Sequence, residues 1–222
     1  MKSPSTDAFK LAAAREAIGF VRPGEILGVG SGSTVNIFIA LLGALAHAIP
    51  GAVAASETSA EALRQAGIPV LGPNIVTRLS VYVDGADEVD PNMMLIKGGG
   101  AALTREKILA YPATSFVCVV DESKRVARLG AFALPIEVIG MTTNAICRHL
   151  SAMGGSPCVR SEVLTDNGNS IVDVTGLNFN DPVVLETALN QLPGAVCNGI
   201  FAQRPADICI SAGANGLSVQ RR

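Results

Sequence analysis

The sequence predicts an α/β fold: a Rossmann-like, mostly parallel sheet with helices on both faces, plus a smaller α+β domain inserted before the C-terminal strand. Two observations predict it. From residue 1 to about 131, aliphatic runs too continuous to face water alternate with helical segments, the signature of a parallel sheet covered on both sides. After Leu129 the rhythm changes to strand, helix, hairpin and helix, and a last strand at Ala206 to Ser211 returns to the first sheet. The expected domains are therefore 1–131 with 206–222, the larger, and 132–205, the smaller.

Taken in order, Ala8 to Phe20 is an amphipathic helix that ends near Gly19, and Pro23-Gly24 turns the chain. Glu25 to Gly30 is a strand, Ser33 to His47 a long apolar helix, Ala52 to Ala55 a short strand, and Ser59 to Ala66 a helix closed by Gly67. Val70-Leu71 and Ser80 to Val83 follow as strands, then a helix from Ala101 to Tyr111 and a strand from Phe116 to Val120. In the smaller domain Leu134 to Val138 is a strand and Thr142 to Met153 a helix stopped by Gly154-Gly155. Val159 to Leu164 and Ser170 to Val174 pair across Asp166-Asn167-Gly168-Asn169, a strong hairpin signal. Asp181 caps the helix to Leu192, with Pro182 at its first position.

Composition narrows the class of function. The chain has 222 residues, 49% hydrophobic and without tryptophan, enough for an aliphatic core. No apolar run reaches the roughly 18 residues of a membrane span. The longest candidate, Ile37 to Ile49, is broken by Gly43 and His47. The opening MKSPSTDAFK lacks an apolar signal core, so a cytoplasmic protein without membrane partner is expected. Five cysteines without a C-x-x-C imply free thiols rather than a disulfide framework. A net charge of −2 without a basic stripe argues against nucleic acid and leaves a small anion as the candidate partner.

Two loops carry chemistry. Gly28-Val29-Gly30-Ser31-Gly32-Ser33-Thr34 joins a strand to a helix, where exposed N–H groups and the helix dipole favour an anion. It is neither a P-loop nor the dinucleotide fingerprint, and the competing reading is that Ser33 or Thr34 merely caps the helix. The second stretch, Asp84 to Lys107, crowds Asp84, Asp87 and Glu88 at a strand end, then places Lys97 and Gly98-Gly99-Gly100 before a helix bearing Glu106. Like charges and three glycines are costly to fold, a local conflict that marks a working site. Both loops follow strands and should face one crevice. A partly buried Glu106 suits a general base, while its bland alternative is a surface glutamate beside Lys107. Asp84, Asp87, Glu88 and Asp90 do not match a calcium loop, and His47 and His149 are far apart, so no metal is expected.

GVGSGST, YVDGADEVD, IKGGGAALTREK, VVDESK, LPIEV and TDNGN, in this order from about Asp7 to Leu217, closely resemble the ribose-5-phosphate isomerase type A family. The resemblance implies an aldose-ketose isomerase that interconverts D-ribose 5-phosphate and D-ribulose 5-phosphate in the non-oxidative pentose phosphate pathway, without cofactor and as a homo-oligomer, usually a homodimer and sometimes a tetramer. It implies Glu106 as proton acceptor and Ser31, Gly32, Ser33 and Thr34 as the phosphate site. Asp84, Gly85, Ala86 and Asp87, with Lys97, Gly98, Gly99 and Gly100, would line the sugar site, and Lys10 and Lys124 would make further substrate contacts. One base on one face can serve both proton transfers of a cis-enediolate, with Lys97 and the glycine N–H groups stabilising the oxyanion and Asp84 or Asp87, Asp84 by preference, opening the ring. Ser31 for the family's frequent Thr, Ala133 for a common Pro, and the tail SAGANG depart from the pattern. Alternatives are a related sugar-phosphate deaminase, which would be expected to show a catalytic histidine, a non-catalytic sugar-phosphate-binding domain, which would need an attached DNA-binding segment, and an acyl-CoA transferase fragment. Glu88 and Asp90 read as scaffold or solvent-facing charge.

Overall fold

The computed structural model describes residues 6–222, so Met1 to Ser5 of the stretch read for a leader lie outside it. In chain order the elements are α1 (Thr6–Ile18), β1 (Leu27–Val29), α2 (Ser33–Leu42), β2 (Ala52–Ala54), α3 (Glu57–Gln65), β3 (Leu79–Asp84), β4 (Glu88–Val89), β5 (Leu95–Ile96), α4 (Leu103–Ala110) and β6 (Ala113–Asp121). Then come β7 (Leu134–Val138), α5 (Thr143–Ala152), β8 (Ser156–Leu164), β9 (Ser170–Thr175), α6 (Pro182–Asn190), β10 (Ala195–Asn198), β11 (Ile200–Phe201), β12 (Ile208–Gly213) and β13 (Gly216–Arg221). The chain divides into two compact units. One holds the chain up to Ala86, Arg105–Arg125 and Ala206–Arg222; the other holds Asp87–Thr104 and Val126–Pro205. The second thus takes in Asp87–Thr104, which the sequence reading leaves in the larger domain.

The first unit is built on a six-stranded sheet, β13-β12-β6-β3-β1-β2, parallel except for β13. Because β2 and β3 flank β1, the winding reverses there, and the carboxyl ends of β1 and β3 border a topological switch point. Alternate strand residues explain the two faces. Leu27, Val29, Val81, Val83, Val117 and Val119 join Ala13, Ala14 and Ala17 of α1 and Val35, Phe38, Ile39 and Leu42 of α2 in one core. Each large aliphatic side chain there contributes about 1.5–3 kcal/mol by leaving water. Tyr82 and Phe116 point to the other face with ring centroids 5.0 Å apart, and Leu109 of α4 is buried on that side beside Val53 and Leu79.

Four details differ from expectation. The long second helix is α-helical only to Leu42 and tightens to a 3-10 turn over Gly43–Ala48, where glycine weakens the helix. The strand expected at Val70-Leu71 is a single bridge between Ala52 and Val70, because Pro69 before it and Gly72-Pro73 after it leave too little regular backbone for a ladder. The helix expected from Ala101 begins at Leu103, since Ala101 sits at φ 60° in a turn whose N–H donates to Gly98 O at 3.0 Å. The tail forms β13, an edge strand turned back through Gly213 to Gly216.

In the second unit an antiparallel sheet, β10-β7-β9-β8, carries α5 against β8 and β9 and α6 against β10. Leu134, Ile136, Val138, Val172 and Val174 pack with Ile146 and Leu150 of α5 and Leu185 and Leu189 of α6. Asp181 accepts from Val184 N at 3.0 Å, the cap its position predicts. A second sheet, β11-β5-β4, has strands of two residues at each position, too short to leave a period in the sequence. Among the described residues no helix is long and apolar enough to cross a membrane.

Candidate active site

The first unit gathers Ser31, Asp84, Gly85 and Glu106. Asp84 ends β3 and is fully buried, and its neighbour strand must leave room for it: a Cβ on Gly30 would lie 1.9 Å from the Asp84 carboxyl carbon. Glycine at position 30 is therefore a steric requirement of the aspartate. Asp84 Oδ1 accepts the backbone N–H of Ser31 at 3.0 Å and of Gly85 at 2.7 Å, and Oδ2 accepts the Tyr82 hydroxyl in a short hydrogen bond. Burial first, and then the Asp84 charge, push the Tyr82 phenol well above its ordinary value, so it stays a donor. Three donors on one carboxylate fix the path of the chain where it leaves β1 for α2.

Glu106, in the first turns of α4, is 3% exposed, so the surface reading of this residue fails. Its Oε1 accepts the Ser31 hydroxyl at 2.7 Å. Ser31 thereby joins the two carboxylates, one through its N–H and the other through its hydroxyl. Next to it Gly32 is the N-cap of α2, at φ 96°, and supplies no side chain to the first-turn amides. Neither Ser33 nor Thr34 occupies the capping position. Ser33 is exposed and Thr34 half-buried at the positive end of α2, an arrangement open to an anion. Lys10 in α1 and Lys124 in the turn after β6 are half-buried, and no hydrogen bond or ion pair among the described residues ties either to this loop.

The second unit holds the other candidates. Asp87 is half-buried, and its Oδ2 accepts the Gly99 N–H at 2.8 Å. Gly98 has φ 113°, a conformation that glycine alone adopts cheaply, and a Cβ there would meet Leu103 and Pro135 at 3.0 Å. Gly99 and Gly100 are exposed, whereas Lys97 is 3% exposed, with its ammonium 5.7 Å from the Phe201 ring centroid and its N–H on Gly199 O at 2.9 Å. Ala86, which ends the first unit, is half-buried. Glu88 and Asp90 are scaffold. Glu88 accepts Gly130 N at 2.7 Å and Phe132 N at 2.5 Å, and Asp90 accepts Asn92 N at 2.9 Å and Met94 N at 2.8 Å. Among the described residues no three His, Cys, Asp or Glu side chains are gathered as metal ligands.

Three residues escaped the sequence reading. Tyr82 is one; it looked like an ordinary strand aromatic. Arg160 pairs with Asp173 at 2.5 and 2.8 Å and also donates to the carbonyls of Gly98 at 3.2 Å and Gly99 at 3.0 Å, holding the glycine turn. Glu137, fully buried in β7, accepts Thr104 Oγ1 at 2.5 Å, Thr165 Oγ1 at 2.9 Å, Asn167 Nδ2 at 3.1 Å and Asn169 Nδ2 at 2.8 Å. The motifs LPIEV and TDNGN are thus halves of one cluster that secures the start of α4.

The chain matches the family model of ribose 5-phosphate isomerase A (phosphoriboisomerase A) over residues 51–216. It is 53% identical over 213 residues to the ribose-5-phosphate isomerase A of Histophilus somni, covering 96% of this chain and 97% of that one. The crystal structure of ribose 5 phosphate isomerase A from Neisseria gonorrhoeae superposes with a TM-score of 0.96 at 44% identity, over 99% of this chain and 98% of that chain. A D-ribose-5-phosphate isomerase in complex with phospho-erythronic acid matches with a TM-score of 0.93 at 38% identity, over 99% of this chain and 100% of that chain. Matched by these relatives over nearly its whole length, the chain belongs to the ribose 5-phosphate isomerase A family.

Proposed function

We propose that the chain interconverts D-ribose 5-phosphate and D-ribulose 5-phosphate through a cis-enediolate, in the non-oxidative pentose phosphate pathway, with Glu106 as the single base. The observation that carries this reading is the buried Glu106 carboxylate held by Ser31, whose own loop opens onto the N-terminus of α2. Phosphate binds at Ser31, Gly32, Ser33 and Thr34, with Lys10 and Lys124 as further substrate contacts, and its binding energy orients carbons that lie away from it. Glu106 removes the proton from C2, the C–H electrons form the C1–C2 double bond, and the carbonyl π electrons move onto O1 to give the enediolate. The C2 hydroxyl proton passes to O1, C2 becomes the carbonyl, and Glu106 returns its proton to C1. Lys97 and the N–H groups of Gly98, Gly99 and Gly100 stabilise the negative charge on the enediolate oxygens.

Ring opening goes to Asp87 in this reading rather than to the expected Asp84. Asp84 is fully buried and already accepts three donors, whereas Asp87 is half-buried. Asp84, with Gly85 and Ala86, shapes the sugar site. No cofactor or metal enters the scheme. A cytoplasmic homodimer is the working form: the exposed thiol of Cys158 suits a reducing compartment, and exposed Ile139, Met141 and Val196 offer apolar surface to a second copy. The test is direct. Ribose 5-phosphate offered to the protein yields ketose, glucosamine 6-phosphate releases no ammonia, and unphosphorylated ribose stays unconverted. Ammonia release would install the deaminase reading instead, and silence with all three substrates would leave a binding domain.

A further inference from the structure

At the amino ends of the parallel strands, the end of the sheet away from Ser31 and Asp84, the first unit contains a cleft of about 580 Å³. That size lies within the roughly 300–1,000 Å³ of small-molecule sites. Nothing in the isomerase chemistry uses this end of an α/β sheet, where loops ordinarily serve stability. Three arginines from three separate places line the cleft: Arg22 from the turn after α1, Arg78 just before β3, and Arg221 at the end of the antiparallel β13. Glu25 is the single carboxylate among the lining residues. In a chain of net charge −2 this is a marked local excess of positive charge.

Two of the three guanidinium groups, those of Arg78 and Arg221, are oriented by neighbours without being neutralised. Arg78 Nε donates to Thr114 Oγ1 at 2.7 Å, which uses one of five donors and fixes the plane of the group. Arg221 lies over the Phe20 ring, 5.3 Å from its centroid. Among the described residues no carboxylate lies within ion-pair distance of Arg22, Arg78 or Arg221. Nor are they needed to cap α1. Its last carbonyls already accept backbone donors, with Gly19 N on Glu16 O, Phe20 N on Ala17 O and Val21 N on Ile18 O, each at 3.1 Å. Ser80, whose hydroxyl donates to Ile26 O at 3.0 Å, and Ser115 also line the cleft, together with Ile26, Val81 and Ile208.

We propose that this cleft binds a diphosphate-bearing anion at a site separate from the isomerase centre. Three fork-shaped cations spaced around a cleft this large fit two linked phosphate groups better than a single one. The test uses the full chain held in an excess of the equilibrated ribose 5-phosphate and ribulose 5-phosphate mixture, which fills the catalytic phosphate site. Calorimetric titration with inorganic pyrophosphate is expected to show one site per chain, with orthophosphate binding more weakly. Arg78→Ala and Arg221→Ala should each weaken pyrophosphate at least tenfold while kcat stays unchanged, and Arg64→Ala, a distant exposed control, should leave binding intact. If either substitution disturbs folding by circular dichroism, Arg22→Gln on the exposed turn takes its place with the same tenfold expectation. Absence of pyrophosphate binding under these conditions overturns the proposal, as does binding that survives the cleft substitutions or falls equally with Arg64→Ala. A lowered Tm in the arginine variants with no pyrophosphate site in the parent would assign the arginines to stabilising the end of α1 instead.

Discussion

Asp84 in the first unit and Glu137 in the second are both fully buried carboxylates, and both are saturated with donors. Their partners differ in kind. Asp84 takes two backbone N–H groups at the switch point and one phenol, whereas Glu137 takes two threonine hydroxyls and two asparagine amides from α4 and a hairpin. Burial and satisfaction alone do not distinguish a working carboxylate from a structural one. What separates the two is the place of their donors: backbone groups at the carboxyl ends of the sheet strands for Asp84, and α4 and a hairpin for Glu137. Glu106 bonds to Ser31 of the switch-point loop that Asp84 also binds, and its proposed role as base is what substitution can test.

The comparison can be pressed by substitution. The largest expected effect is that of Glu106→Gln, which keeps volume and removes the base: kcat should fall at least roughly 10²-fold with KM within a few-fold. Steady-state kinetics showing near-native turnover would remove Glu106 from the role. Glu137→Gln should do the opposite. It leaves an amide among four donors and should cost about 3 kcal/mol of stability, read from denaturant unfolding, while the folded enzyme turns over within several-fold of the parent. A collapse of turnover at unchanged stability would move Glu137 to the working class.

Tyr82→Phe should cost about 1–2 kcal/mol, because Asp84 loses a donor inside the protein. It should also change the alkaline limb. Burial, then Asp84, raises the Tyr82 pKa in the fold, so the folded state keeps a proton that the unfolded chain releases from pH 10.0 upward. That contribution is complete below the unfolded value and is lost as pH rises toward the folded one. Stability of the parent should fall more steeply above that pH than stability of Tyr82→Phe, measured by urea midpoints across the range. A smaller effect is expected from Arg160→Ala, which frees the Gly98 and Gly99 carbonyls; KM or kcat should shift by roughly a few-fold if the N–H groups of this turn act on the enediolate as proposed, because they lose pre-organisation. Exhaustive EDTA should leave the rate unaltered, and recovery of a lost rate by a divalent ion would bring Asp84 and Asp87 back as ligands.

Much of this was written in periodicity. The runs around Val29, Val81 and Val117 had to be buried strands, and Asp181-Pro182 announced α6 in a form that the cap geometry matches. Elements of two residues, such as β4, β5 and β11, carry no period, and β13 follows the turn dipeptide Asn215-Gly216 in a tail read only as a departure from the family pattern. Within the site, a strand end and a glycine turn marked Asp84 and Gly98. Tyr82 and Arg160 were invisible because their roles depend on which residue the fold sets opposite them: Asp84 lies two positions from Tyr82, but Gly98 is 62 positions from Arg160. Position 32 illustrates the limit most simply. Hydroxyls at 33 and 34 suggested a cap, and a left-handed glycine occupies that position instead.

The place of β12 has a consequence for the chain as it is made. β12 pairs with β6, yet Val126–Pro205, roughly 80 residues, is synthesised between them. At about 5–20 residues per second, β6 waits several seconds on the ribosome with one edge open. Its Phe116 to Val120 run is apolar and uncharged, the composition most apt to pair with a stranger. The speed at which the ribosome traverses the inserted segment therefore sets the window in which a nascent chain can be lost to its neighbours.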